Sequence, residues 1–277
     1  MKVPVQFYRS YPMDPSAQHP AIGHRGLADK MLALDADRTV VAGMHLWNVG
    51  EPGGPDVTPD GPDWPITKLY DFYADAQRIA QNKIRPVFQA ARAAGITVVH
   101  IAGNRYAHHY PQYARTVANC DEPDPAGSPG CCDRSWQDEY HRDKWGMSID
   151  EANQELDRVK SKIRIAQCVA PHPEDEVVKD HRQFNRLLRS AKVNTIIYTG
   201  FATNACLMAA PGGLLDMRRL KYRLILVRDA TAALEEKRSC LDRGNMKTTI
   251  AQVEREFGYT CTADDLIAAM QKGASRS

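Results

Sequence analysis

The sequence predicts an α/β fold: a doubly wound, mainly parallel sheet with helices on both faces, forming a three-layer sandwich. Residues 38–102 have the pattern strand, helix, strand, and the helix stops at Gly95, a residue suited to ending it. Residues 193–227 repeat this order around a β-branched and aromatic run at 195–199, which is short and apolar enough for a buried parallel strand. Such units close by right-handed crossovers.

The N-terminal part divides into an arm and the start of the domain. Residues 1–33 are rich in Pro, Tyr and His and show no sustained period. They are predicted to form an arm on the domain or on a neighbouring subunit, and the α/β domain is predicted to span residues 34–277. Residues 38–44 and 96–102 are the first two predicted core strands. Residues 71–94 between them repeat apolar side chains at helical spacing, and an internal proline is expected to kink or split that helix.

An insertion at residues 104–163 breaks this rhythm. It is too long for an ordinary loop and too aromatic for a disordered one, so we expect a lid or a subunit-contact element. Zinc binding by Cys120, Cys131, Cys132 and His141 is disfavoured, because adjacent cysteines lack the Cys-x2-Cys spacing of structural zinc sites. No metal and no cofactor is predicted.

The strand–helix pattern returns in the C-terminal part. A strand is predicted to end on Lys179, and a short helix follows at residues 181–191. Proline and paired glycines at 211–213 are expected to kink the helix that follows the 195–199 strand. Amphipathic helices at 242–257 and 263–271 are expected to pack on the sheet.

Composition restricts the class of partner. A net charge of +2 over 277 residues gives no field that would recruit nucleic acid or a membrane surface. The N-terminus lacks the apolar core of a signal peptide, and no window approaches a transmembrane length. The seven cysteines are therefore expected to be mostly reduced, in a cytoplasmic protein that acts on a small molecule.

Cys206 is the strongest candidate for chemistry. Gly200 frees the backbone to turn after the buried strand, and Thr203 or Asn204 is predicted to cap the next helix. Cys206 would then lie in the first helical turn at the carboxyl end of a parallel strand, where open α/β sheets bind ligands. The helix dipole and unpaired N–H groups there lower a thiol pKa and can hold an oxyanion. The alternative is a buried cysteine that only fills the core.

Residues 200–206, Gly-Phe-Ala-Thr-Asn-Ala-Cys, resemble the Gly-x-x-Thr-Asn-x-Cys nucleophile motif of the isochorismatase-like cysteine hydrolases, the nicotinamidase superfamily. Residues 222–233 resemble that family's next strand and its Asp-Ala-x-Ala turn. The resemblance is strong over 169–233, weaker over 38–104, and absent from the first thirty or so residues and from the insertion. It implies the three-layer α/β fold, a symmetric oligomer and hydrolysis of C–N bonds.

The resemblance also implies roles for individual residues. Cys206 would attack an amide carbonyl and form a thioester, and Lys179 would stabilise the thiolate. The amides of Ala202 and Cys206 would hold the oxyanion, with a cis peptide bond between Phe201 and Ala202. Trp47, Phe201 and Asn204 are the expected substrate-binding residues.

The sequence departs from the family at the catalytic carboxylate. The family's first strand ends in Asp-Met-Gln-Asn-Asp, whereas this chain has Gly43 at the carboxylate position. His45 lies two residues further on and, if the strand continues, on the same face, so it is the candidate base. It is equally compatible with a pocket-lining or core residue. The segment between Lys179 and Cys206 is also shorter than is usual in the family.

Three interpretations remain open at this stage. The first is a cysteine hydrolase of C–N bonds with a different base, and the second is a ligand-binding or regulatory relative without turnover. The third is a structural or partner-binding protein in which Cys206 has no role. Trp47, Trp136 and Trp145 favour a pocket for an apolar or planar molecule.

Overall fold

The structure, a computed structural model, describes residues 1–56, 58, 70–103, 106–118, 138–139, 142–143 and 146–274. The four cysteine and histidine residues considered for zinc and the two tryptophans of the insertion, Trp136 and Trp145, lie outside the described residues. None of the helices in the described ranges is long and apolar enough to cross a membrane.

The described residues confirm the predicted α/β fold and its mainly parallel sheet. The sheet has eight strands in the order β2-β1-β8-β7-β6-β3-β4-β5. Every neighbouring pair from β8 to β5 is parallel. The strands are β1 Lys2–Arg9, β2 Gly26–Ala33, β3 Thr39–Met44, β4 Thr97–Ile101, β5 Glu176–Val178, β6 Thr195–Phe201, β7 Arg223–Ala232 and β8 Tyr259–Cys261. The strand β6, which precedes Cys206, is central, between β3 and β7, and every one of its residues is buried.

The N-terminal arm contributes two strands that the sequence did not indicate. β1 and β2 pair as an antiparallel hairpin, and β1 pairs with β8, so the hairpin extends the sheet at one edge. Only Val3 and Val5 are buried in β1, and none of β2 is. This weak alternation, with a proline between the two valines, gives no detectable period.

Helices cover both faces of the sheet. They are α1 Tyr70–Ile79, α2 Arg85–Ala93, α3 Pro111–Ala118, α4 Ile149–Lys160, α5 His181–Ser190, α6 Cys206–Ala209, α7 Leu214–Arg219, α8 Gly244–Gln252 and α9 Ala263–Ala274. Side chains of α2 and α9, such as Phe88 and Leu266, belong to one buried cluster. Side chains of α5 and α7, such as Phe184 and Leu214, belong to the other.

The predicted break in the first long helix occurs where proline requires it. A π-helical turn, Ala80–Ile84, separates α1 from α2, and Pro86 lies in the first turn of α2. Proline has no N–H to donate to the preceding turn, so a locally widened turn there costs little. Likewise, the 211–213 segment divides the helix after β6 into α6 and α7.

The described part of the insertion lies against the domain. Thr116 of α3 donates to the carbonyl of Val177 in β5 over 3.1 Å. After α4, the chain runs antiparallel beside the segment that follows β3: Trp47 forms a bridge with Ile165, and the Asn48 N–H donates to the Arg164 carbonyl over 3.0 Å. The chain that directly follows the insertion therefore borders the carboxyl edge of the sheet.

Candidate active site

Cys206 lies just beyond the carboxyl end of β6. The strand ends at Phe201, the Phe201–Ala202 peptide bond is cis, and Cys206 begins the four-residue helix α6. Gly200 has φ 105°, and a Cβ there would lie 2.2 Å from the Met44 carbonyl oxygen. Only glycine therefore fits at this position, where the backbone of β3 lies against it.

The predicted capping by Thr203 or Asn204 is wrong. The N-cap residue is Ala205, and it makes no side-chain capping bond. The Thr203 hydroxyl bonds instead to that of Thr231 over 2.6 Å. The Asn204 amide exchanges two hydrogen bonds of 2.9 Å with the backbone of Leu234. Both side chains join the turn before Cys206 to the region around β7, which fixes the turn without a cap.

A cavity of about 140 Å³ opens beside Cys206. Of the predicted site residues it brings together His45, Trp47, Phe201, Ala202 and Cys206. The complete lining among the described residues is His45, Trp47, Phe72, Tyr73, Ala76, Phe201, Ala202, Ala205, Cys206 and Leu234. A larger depression of about 590 Å³ at the edge strand β5 does not include Cys206.

Two predicted site residues do not line the cavity. Asn204 contributes indirectly, by holding Leu234, which does line it. Lys179 follows β5 rather than ending it, and its ammonium lies 3.8 Å from the Asp180 carboxylate. In the sheet, β4 and β3 separate β5 from β6.

The Cys206 thiol is more basic than a free thiol. Burial raises its pKa, while hydrogen bonds from the Ala202 and Cys206 backbone N–H groups and the positive charge of Lys160 lower it less. The expected net lowering by the helix dipole is therefore not found, because the sulfur is largely buried and α6 has only four residues. The thiol is protonated at neutral pH, so a nucleophilic attack by it would require a base.

His45 does not continue β3, contrary to the sequence analysis. The strand ends at Met44, and His45 adopts a positive φ of 46° while its N–H donates to the Ile101 carbonyl over 3.1 Å. Its ring nevertheless faces the cavity and stacks on Trp47, with ring centroids 5.4 Å apart. Burial lowers the pKa of His45 to about 4. The imidazole is neutral at pH 7, and Nδ1 is buried without a hydrogen-bond partner among the described residues.

Gly43 leaves no space for the carboxylate of the family pattern. A Cβ built on Gly43 would lie 2.7 Å from Cδ1 of Leu46 and 2.7 Å from Cζ of Phe88. Both side chains are buried in the core on the cavity side of the sheet. The volume that an aspartate side chain would occupy is therefore filled with hydrocarbon.

Aromatic rings form most of the remaining wall. Trp47 stacks on Tyr73 with centroids 6.4 Å apart, and Phe72 meets Phe201 edge-on at 6.1 Å. The Trp47 indole N–H donates to the Tyr106 hydroxyl over 3.0 Å, so its polar atom is satisfied away from the cavity. Phe72 was not predicted as a site residue because its helical spacing assigns it to the core, and Tyr73 was not predicted because it lies outside that apolar pattern.

The proximity of Lys160 to Cys206 could not be inferred from sequence either. Lys160 is the last residue of α4, within the insertion where the family pattern is absent. In the part of the chain that the structure describes, no group of three or more His, Cys, Asp or Glu side chains could hold a metal ion.

Comparison with known proteins identifies relatives over most of the chain. The sequence profile of the Isochorismatase domain matches residues 71–265. Ureidoacrylate amidohydrolase RutB of Azorhizobium caulinodans is 26% identical over 242 residues, covering 84% of this chain and 91% of the relative. Among solved structures, a cysteine hydrolase from Pseudomonas syringae pv. phaseolicola superposes with a TM-score of 0.53 at 18% identity, covering 87% of this chain and 95% of that one.

Proposed function

The chain belongs to the Isochorismatase family, and from this premise we propose that it hydrolyses a C–N bond of a small amide with Cys206 as the nucleophile. The observation that carries the proposal is the position of the sulfur. It lies at the wall of an open cavity, and two backbone N–H groups, of Ala202 and Cys206, point at it. The amidohydrolase name of the RutB relative supports the bond type.

The reaction follows from this arrangement. The substrate carbonyl carbon lies against Sγ of Cys206, which attacks it while the thiol proton passes to the His45 imidazole. The carbonyl oxygen becomes an oxyanion held by the Ala202 and Cys206 N–H groups. His45 then returns the proton to the nitrogen of the leaving amine, and the C–N bond breaks to leave a thioester. Water, deprotonated by His45, attacks the thioester and releases the acid and the free thiol.

His45 is the proposed base because it lines the cavity and no other group among the described residues holds its Nδ1. It is the only cavity-lining imidazole among the described residues, no carboxylate lines the cavity with it, and its Nδ1 has no other partner. Burial raises the pKa of Cys206 and lowers that of His45, so a resting thiolate–imidazolium pair is unfavourable. Proton transfer must therefore accompany the attack rather than precede it.

A binding protein without turnover is the second candidate. Two observations favour it: hydrocarbon fills the space beside Gly43, and burial keeps the thiol protonated. Such a protein would hold an amide in the same cavity and release it unchanged.

The two candidates differ in whether an acyl group becomes attached to Cys206. We expect a brief incubation with a panel of amides, followed by acid quenching, to add the acyl mass to the peptide that contains Cys206. Cys206→Ala should show no added mass and no turnover, while Cys240→Ala, which removes an exposed thiol, serves as the matched control and should behave as the wild type. Amide binding without adduct or product at any pH from 6 to 9 would establish the binding protein instead.

A further inference from the structure

The cavity volume limits the acyl group that can enter. It is about 140 Å³. An apolar cavity of roughly 150 Å³ accommodates one benzene molecule. One six-membered ring, or an acyl chain of similar volume, therefore fills the space beside Cys206, whereas a fused two-ring group would extend out of the cavity.

The charge of the lining residues further limits which acyl groups can enter the cavity. The titratable groups among the described lining residues are His45, Tyr73 and Cys206. Burial lowers the pKa of His45 to about 4 and raises the pKa of both Tyr73 and Cys206. All three are neutral at pH 7. A carboxylate in this cavity would lose its water without gaining a cation from these residues, which is costly.

The shape of the walls favours a flat group. The His45, Trp47 and Tyr73 rings follow one another with interplanar angles of 25° and 23°. Because the Trp47 N–H is bound by Tyr106, the indole offers its ring rather than its polar atom to the cavity. Flat groups pack on such faces in offset or edge-on contact.

The adjoining surface also disfavours an anion. A second depression shares Phe72 and Leu234 with the cavity and is lined by Asp71, Asp75, Glu235 and Arg243, among others. Arg243 is paired with Asp75, and Asp71 and Glu235 leave a net negative charge in this neighbouring depression. Lys160 is the cation that acts on Cys206, but it is not among the residues lining either depression.

We propose that the cavity selects an uncharged carboxamide with a flat, apolar acyl group of about one ring, and rejects acyl groups that carry a carboxylate. The size and charge of the acyl group follow from the cavity itself, whereas the identification of the substrate as a carboxamide rests on the proposed function.

Two alkylating reagents of nearly equal size test the charge selection without requiring turnover. Iodoacetamide is neutral and iodoacetate is an anion. The rates at which they modify Cys206 at pH 9 would be followed by mass spectrometry of the peptide containing it, with a free small-molecule thiol as the reference. We expect the iodoacetamide-to-iodoacetate rate ratio at Cys206 to exceed the reference ratio at least tenfold.

Three results would overturn the assignment. One is a ratio equal to that of the free thiol. Another is faster reaction with iodoacetate that disappears in Lys160→Gln, because Lys160 would then be an anion-binding residue. The third is no modification by either reagent at pH 9, because the cavity would then be closed to solvent.

Turnover separates this inference from the proposed function. Ammonia release would be compared for benzamide, its 4-carboxylate and naphthalene-2-carboxamide, and we expect benzamide to be hydrolysed at least tenfold faster than the other two. Faster hydrolysis of the carboxylate would overturn the charge assignment while leaving the hydrolase intact. If no amide is hydrolysed but the alkylation ratio holds, the cavity assignment stands and the hydrolase proposal fails.

Discussion

His100 and His45 are imidazoles whose pKa burial lowers, but their surroundings differ. The His100 Nε2 lies 3.1 Å from a carboxylate oxygen of Asp175, and Arg92 donates two hydrogen bonds to the same carboxylate. Nδ1 is without a hydrogen-bond partner in both rings within the described ranges, but the His45 ring lines the cavity beside Cys206, where no carboxylate lies among the described lining residues. A buried ring that a carboxylate holds through one nitrogen supports the fold, whereas a ring that lines a cavity can meet a ligand.

The partnered histidine belongs to a network that fixes the approach to β5. The Asp175 carboxylate also accepts the His172 N–H over 2.9 Å, so it joins β4, α2 and the loop before β5. Asp175 itself is only 1% exposed. Nothing in this network reaches Cys206, so changes here should affect stability and leave the chemistry of the cavity unchanged.

The largest expected loss of stability follows from Asp175→Asn. It leaves Arg92, whose side chain is 25% exposed, without its counter-charge, and the cost should be about 3 kcal/mol, the lower end of the range for a fully buried pair. Urea unfolding at pH 7 measures the loss, and Glu174→Gln at the exposed neighbouring position is the control expected to change it by less than about 0.5 kcal/mol. A cost for Asp175→Asn no larger than the control's would show that the network is not structural.

The unpartnered histidine should destabilise the fold in acid. Its folded pKa of about 4 lies below the ordinary value near 6.5, so the unfolded chain takes up the proton first. The free energy of unfolding should therefore fall by about 3 kcal/mol between pH 6.5 and 4 through this group alone. The side chain of His45→Gln does not titrate. Its free energy of unfolding should therefore fall by about 3 kcal/mol less than that of the wild type over the same pH interval. Equal losses in the two proteins would contradict the lowered pKa.

Adding a methyl group at Gly43, where two core side chains already occupy the space, should have a smaller effect on stability. Gly43→Ala overpacks the core against Leu46 and Phe88, at a cost of about 1–3 kcal/mol. Leu46→Ala should cost more alone, but the double variant should cost less than the sum, because the new methyl group enters the vacated space. Additive costs in urea unfolding would mean that the space is not shared.

The smallest effect concerns the two lysines. Lys160→Gln should raise the Cys206 pKa, since it removes a positive charge that lowers it, whereas Lys179→Gln should leave it unchanged. The pH dependence of Cys206 alkylation by iodoacetamide measures both. If the Cys206 pKa rises in Lys179→Gln but not in Lys160→Gln, Lys179 has the role that the family resemblance assigns to it.

Sequence predicted best where local pattern and burial agree. The run at β6 is apolar, β-branched and bounded by Gly200, and the structure makes it the central strand. The β1–β2 hairpin was missed because few of its residues are buried, so their alternation is weak. Hydrophobic periodicity reports burial, and an edge hairpin has little of it.

The site was less predictable because long-range packing determines it. The turn at His45, with its positive φ, depends on the neighbouring strand through the Ile101 carbonyl, and no local pattern marks it. Phe72 is an ordinary apolar residue at the start of α1 until Phe201 and the cavity are placed beside it. Gly43 was visible in the sequence, but the two side chains that occupy its space were not.

The most direct test of the account is kcat/KM for benzamide, in the wild type and in His45→Gln, from pH 3.5 to 9. Loss of a positioned base should lower kcat/KM by about 10²–10⁴-fold. The wild-type profile should have an acid limb near pH 4 that the variant lacks, while iodoacetamide still modifies Cys206 in both proteins at pH 9. If His45→Gln stays within threefold of the wild type and keeps the same acid limb, His45 is not the base and the account is wrong.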